Sequence, residues 1–182
     1  MTKTVSRTHD MVYIAMFAVL IAVCSWISIP TEIPFTLQTM GVFLAAGILG
    51  GKRGTLAVLI YILLGAVGVP VFSGFTGGLN VLIGTTGGYI VGFLAMTLIM
   101  WLAERCFGKK LPVVIISMLI GLFVLYAFGT AWFGLVYAKT VGAVGLMSIL
   151  GWCVFPFIIP DLIKMAVAVI IMASVKKIRH DL

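Results

Sequence analysis

Asp161 and Lys164 are the two residues of this chain best placed to do chemistry. They lie three apart inside an otherwise apolar stretch, 156–175. On a helix that spacing puts both side chains on one face, close enough to pair. In a membrane each charge costs on the order of 3 kcal/mol at the centre of a span, so charges kept there mark a candidate site. Snorkelling of Lys164 to the far interface is the first alternative. However, Lys164 stands twelve residues before Lys176, about 18 Å along a helix, which a lysine side chain cannot climb. A purely structural ion pair is the second alternative. As a binding pair, the carboxylate accepts and the ammonium donates. That combination suits a small ligand that itself both donates and accepts hydrogen bonds.

Further candidates lie in the Gly-rich stretch Phe72-Ser73-Gly74-Phe75-Thr76-Gly77-Gly78-Leu79-Asn80 and in Gly84-Thr85-Thr86-Gly87-Gly88-Tyr89. Irregular backbone at membrane depth survives only inside protein or against a cavity. Asn80 and Tyr89, an amide and a phenol on apolar flanks, are good orienting groups for a small ligand. Gly84, Gly88 and Gly92 are four apart, which also fits close helix packing. Ala15, Ala18 and Ala22 form a stripe at 3–4 spacing that lets another helix approach, within the chain or from a second one.

Other chemistries lack their residues. Gly51-Lys52 and Gly108-Lys109 have no Gly five positions upstream, and Arg53 and Lys110 follow instead of Ser or Thr, so no phosphate-binding loop is present. His9 and His180 are in the tails, and Cys24, Cys106 and Cys153 are widely spaced. No metal site, disulfide framework or catalytic set is expected. The expectation is a protein that is not an enzyme and carries no cofactor.

The elements that must position these residues follow from composition. Of 182 residues, 63% are hydrophobic and 9% charged, against roughly 25% charged in a soluble domain. Such a chain cannot cover a water-facing surface. At about 20 residues per span there is no room for a soluble domain, which excludes a self-contained ATPase or a nucleic-acid-binding module. The apolar runs are continuous rather than alternating, which argues against a β-barrel. The expected fold is an all-α integral membrane protein, a single transmembrane domain over 1–182. Its six spans are near 11–29, 35–50, 55–71, 85–103, 112–138 and 156–175, with a Gly-rich loop over 72–83 and a partly helical loop over 141–155. The first run is too long for a cleaved leader.

The net charge of +7 is an orientation signal. With six spans, Lys3, Arg7, Lys52, Arg53, Arg105, Lys109, Lys110, Lys176, Lys177 and Arg179 share one side, ten of the twelve basic residues. That side is the cytoplasm, so both termini are expected there. A seventh span would move the last three across and spoil the pattern.

Several of these segments resemble one family. Pro34-Phe35-Thr36-Leu37-Gln38-Thr39-Met40-Gly41-Val42-Phe43-Leu44-Ala45 is similar to the second-helix signature of BioY proteins, the biotin-binding S components of energy-coupling factor (ECF) transporters. Gly68-Val69-Pro70-Val71-Phe72, the glycines at 77 and 78, Gly84-x-Thr86-Gly87-Gly88-Tyr89 and Pro160-Asp161-Leu162-Ile163-Lys164 continue the likeness in order and spacing. Thr85 departs from it, standing where the pattern has Pro. The resemblance implies six helices in a prokaryotic plasma membrane and biotin held near the extracellular face. It also implies partnership with a transmembrane coupling subunit and two cytoplasmic ATPases, whose ATP hydrolysis would drive uptake. On that reading Asp161 accepts from a ureido N–H, and Lys164 or Asn80 donates to the ureido carbonyl. Gln38 and Tyr89 add polar contacts, Thr86 and Gly87 belong to the binding loop, and Phe35 with 30–34 forms part of a lid. Ala15, Ala18 and Ala22 would face the coupling subunit.

Two other functions remain open at this level. An S component for another vitamin shares the architecture. An ion-coupled secondary transporter would carry internal repeats and several intramembrane carboxylates; this chain shows no clear repeat and a single such carboxylate, Asp161.

Overall fold

Away from water a backbone must satisfy its own N–H and C=O groups, so long apolar runs become helices. The computed structural model describes residues 2–31, 33–142 and 144–181, with side chains over 8–31, 33–142 and 144–175. Glu32 and the side chains of Lys3, Arg7, Lys176, Lys177, Arg179 and His180 lie outside the described residues. Helix α1 (Thr2–Trp26) leads through β1 (Ser28–Ile29) and β2 (Phe35–Thr36) into α2 (Gln38–Leu49) and α3 (Gly51–Ala66). A 3-10 turn (Ser73–Phe75) and the short α4 (Leu79–Ile83) precede α5 (Gly87–Phe107) and α6 (Leu111–Thr140). Short α7 (Leu146–Cys153) and long α8 (Phe155–Asp181) complete the order.

Helices stand at all six expected stretches. Among the described residues, four stretches are long and apolar enough to cross a membrane: Thr8–Trp26, Gly87–Phe107, Leu111–Thr140 and Leu146–Val175. Helix α2 is apolar but has 12 residues, about 18 Å of rise against a hydrocarbon core of about 30 Å. Two regions expected as loops carry more structure. The 30–34 turn is closed by an antiparallel pairing of Ser28 with Thr36 and Ile29 with Phe35, which makes a two-stranded ribbon beside the helices. The 72–83 segment contains the 3-10 turn and α4. In α8, Pro156 sits in the first turn, where a missing N–H is harmless. Pro160 lies further in and removes one backbone bond.

Helix α2 is the axis of the fold. Nine of its residues are buried, including Gln38, Val42, Phe43, Ala45 and Leu49, because α1, α3, α5 and α8 all pack on it. A helix apolar all round must be buried all round. Helix α1 adds one inward stripe, Ile14, Ala18, Ile21, Ala22 and Ser25. Of the alanines expected at a coupling contact, Ala18 and Ala22 are buried in the chain's own core and Ala15 is exposed. Gly41 lets α2 approach α1 closely: a Cβ there would stand 3.2 Å from Cys24 and 3.3 Å from the Ile21 backbone.

At one end of the bundle the α2–α3 turn is made by Gly50, whose φ of +86° favours glycine. Glu104 locks that corner. Its carboxylate accepts the Gly51 N–H at 2.5 Å and pairs with Lys109 at 2.9 Å. Arg53 pairs with Asp10 at 2.8 Å on the same side. The opposite end, where α2 and α5 begin, holds the site.

Candidate ligand-binding site

A cavity of about 230 Å³ opens among the starts of α2, α5 and α8, the middle of α6 and the 72–76 turn. One water needs about 10–15 Å³ on such a measure, so this is space for a small molecule. Ile33, Pro34, Phe72, Val81, Ile90, Phe93, Leu125 and Phe157 supply apolar walls. Thr36, Gln38, Thr39, Ser73, Thr76, Thr86, Tyr89, Tyr126 and Cys153 supply polar groups. Among the described residues, the cavity's only charged lining groups are Asp161 and Lys164. An apolar chamber with a few convergent polar groups is the usual form of a small-molecule site.

The charged pair forms one pole of the cavity. Asp161 is 2% and Lys164 6% exposed. The Lys164 ammonium donates to Asp161 Oδ1 at 2.8 Å and to the Thr36 carbonyl at 2.6 Å. It also lies 4.3 Å from the centre of the Phe35 ring, a cation–π distance. Tyr126 Oη donates to Asp161 Oδ2 at 2.7 Å. Each carboxylate oxygen therefore holds one partner and retains acceptor capacity. The hairpin explains why Thr36 can serve: its pairing turns the strand so that the Thr36 carbonyl meets α8.

Gln38 and Tyr89 both line the cavity. The Gln38 amide donates to Tyr61 Oη at 2.9 Å. The Tyr89 hydroxyl shares a 3.0 Å hydrogen bond with Thr130 and donates to the Cys153 carbonyl at 3.3 Å. Its ring lies on Gly129, where a Cβ would stand 2.4 Å away. Thr86 also lines the cavity, just before α5.

Three expected residues are placed differently. Asn80 is exposed and does not line the cavity: α4 turns Val81 inward and leaves Leu79, Asn80 and Ile83 outside. Gly87 is buried behind the wall, where a Cβ would stand 1.8 Å from the Leu82 carbonyl oxygen. It lets α4 and α5 meet and does not face the cavity. Phe35 does not line the cavity itself; it lies beneath the ammonium, stacked on Phe157 at 5.5 Å, while Ile33 and Pro34 of the same segment do line it. Sequence reasoning missed Tyr126, Thr36 and Phe157. Tyr126 carried a signal, a phenol in the middle of an apolar run. Thr36 acts through its backbone, which leaves no trace in residue type.

Comparison with known proteins adds to this geometry. The BioY family profile matches residues 1–181. The biotin transporter BioY of Thermotoga maritima is 41% identical over 175 residues, 95% of this chain and 99% of that one. The probable biotin transporter BioY of Pyrococcus horikoshii is 42% identical over 166 residues, 91% of this chain and 94% of that one. The 2.1 Å crystal structure of the S-component for biotin from an ECF-type ABC transporter superposes with a TM-score of 0.82. That match has 26% identity and covers 97% of this chain and 95% of the other.

Proposed function

The chain belongs to the BioY family, and on that footing we propose that it is a biotin-capturing membrane subunit for vitamin uptake. The observation that carries the reading is the buried Asp161–Lys164 pair, set at 2.8 Å in the wall of a chamber with no other charged lining group among the described residues. A biotin ureido ring has two N–H donors and one carbonyl. Asp161 accepts one N–H and Lys164 donates to the carbonyl. Gln38, Tyr89 and Thr86 add neutral polar contacts. Phe72, Phe93, Leu125 and Phe157 take the bicyclic ring and the aliphatic chain, where burial of apolar surface contributes about 25 cal/mol per Å². Phe35 supports the ammonium from behind.

The same reading supplies the setting. The chain is a single transmembrane domain with six spans in the prokaryotic plasma membrane, α2 and α3 being short spans at its centre. Both termini face the cytoplasm, in keeping with the basic residues 52, 53, 105, 109 and 110 at one end. It works as a transport subunit with a membrane coupling subunit and a pair of ATPases. This fits a sequence with no phosphate-binding loop of its own. Ala15, exposed on α1, is the member of the alanine stripe that lies open to the coupling subunit.

Calorimetry on the purified, detergent-solubilised protein tests the function, with other water-soluble vitamins as controls. The expected result is saturable binding of biotin at one site per chain and none of the controls. Preference for another vitamin would keep the architecture and discard the substrate. Absence of binding by a folded sample would contradict the proposal.

A further inference from the structure

We infer that Tyr126 is a positioning residue for ligand recognition: its hydroxyl fixes the direction in which Asp161 offers its carboxylate to the ligand. The inference rests on the biotin reading above and adds to it a residue that acts through the Asp161 carboxylate.

The argument begins with the freedom of a carboxylate. The torsion that turns an Asp carboxyl is broad, so a single partner holds one oxygen but leaves the group able to swing. Lys164 bonds Oδ1, and it comes from the same helix, one turn on. Tyr126 bonds Oδ2 at 2.7 Å and comes from α6. The two partners grip different oxygens from two helices, so the carboxylate plane is fixed and with it the positions of its free acceptor sites. An O–H···O⁻ bond of this length is among the stronger hydrogen bonds in proteins. A recognition group works best when its own rotamer is locked by a neighbour of this kind.

The surroundings agree with a positioning role. Tyr126 and Thr130 are four apart on α6 and reach the two polar anchors of the cavity in parallel, Tyr126 to Asp161 and Thr130 to Tyr89. Both also line an apolar groove on the outer side of α6, α7 and α8. Helix α6 thus forms the partition between ligand cavity and groove, and the hydroxyls of Tyr126 and Thr130 bond groups on the ligand side. In an otherwise apolar stretch of α6, a phenol whose hydroxyl served only packing could be phenylalanine.

The test is a cycle between protein and ligand. Tyr126→Phe keeps the ring and removes the hydroxyl. Its affinity is measured for biotin and for two analogues in which one or the other ureido N–H is replaced by CH₂. The expected result is about a tenfold loss for biotin, the scale of one hydrogen bond to a charged group. For the analogue lacking the N–H that meets Asp161, the same variant should lose less than about twofold, because the bond being aimed no longer exists. An equal loss for biotin and both analogues would mean that Tyr126 serves structure alone, and would overturn the inference. So would unchanged biotin affinity. Wild-type protein that binds no biotin would overturn the underlying reading as well, and is distinguished by being seen before any variant is made.

Discussion

Three ion pairs of nearly the same length sit at opposite ends of this molecule. Asp161–Lys164 closes at 2.8 Å, Arg53–Asp10 at 2.8 Å and Glu104–Lys109 at 2.9 Å. Distance does not separate them; surroundings do. The first is buried in the wall of a cavity, with each carboxylate oxygen and the ammonium separately bonded. In the other two, Arg53 and Lys109 are well exposed. Burial strips both charges of water and makes them dependent on each other, whereas exposed pairs are screened and worth about 0–1 kcal/mol. The buried pair is therefore the one whose presence needs a function, and the exposed ones mark the basic face.

This contrast can be broken at either end. Lys164→Met alone should have the largest effect, destabilising the detergent-solubilised protein by about 3–5 kcal/mol because Asp161 is left buried and unpaired. Thermal unfolding would measure it. The double variant Asp161→Leu with Lys164→Met should recover most of that stability while binding no biotin, since a buried pair can be exchanged for apolar groups at little cost. Recovery of binding in the double variant would end the idea that the pair is kept for the ligand.

At the basic end, packing should outweigh charge. Gly51 lies so close to α5 that a Cβ would stand 2.3 Å from the Trp101 backbone. Gly51→Ala should cost about 1–3 kcal/mol of stability as α3 is forced away. Lys109→Ala and Arg53→Ala should each change unfolding by less than about 1 kcal/mol and leave biotin affinity unaltered. A large loss of affinity in either would place part of the site at the wrong end.

The two ends were also unequally legible. The long apolar runs announced helices because continuous hydrophobicity is a strong local signal, and helices stand at all six expected stretches. The pairing of Asp161 with Lys164 followed from their spacing, since three residues on a helix fix their relative position. What spacing could not tell was which helix a face meets. The Ala15, Ala18, Ala22 stripe looks the same whether it packs within its own chain or on a partner; in the structure Ala18 and Ala22 are buried and Ala15 is exposed. Asn80 is exposed on α4 for a similar reason, because nothing local determines which side of a five-residue helix faces a cavity. The Thr36 carbonyl was invisible because any residue there offers one, and only the hairpin register aims it.

The most direct test of the account is the biotin affinity of Asp161→Asn, titrated beside wild type in the same detergent. The amide keeps the shape of the carboxylate but loses its charge and half its acceptor capacity. With the ureido N–H facing this group, affinity should fall by about a hundredfold or more, because the charged acceptor is lost and Lys164 is left without its anion. An affinity within about twofold of wild type, in a variant that unfolds normally, would contradict it and remove Asp161 from the site.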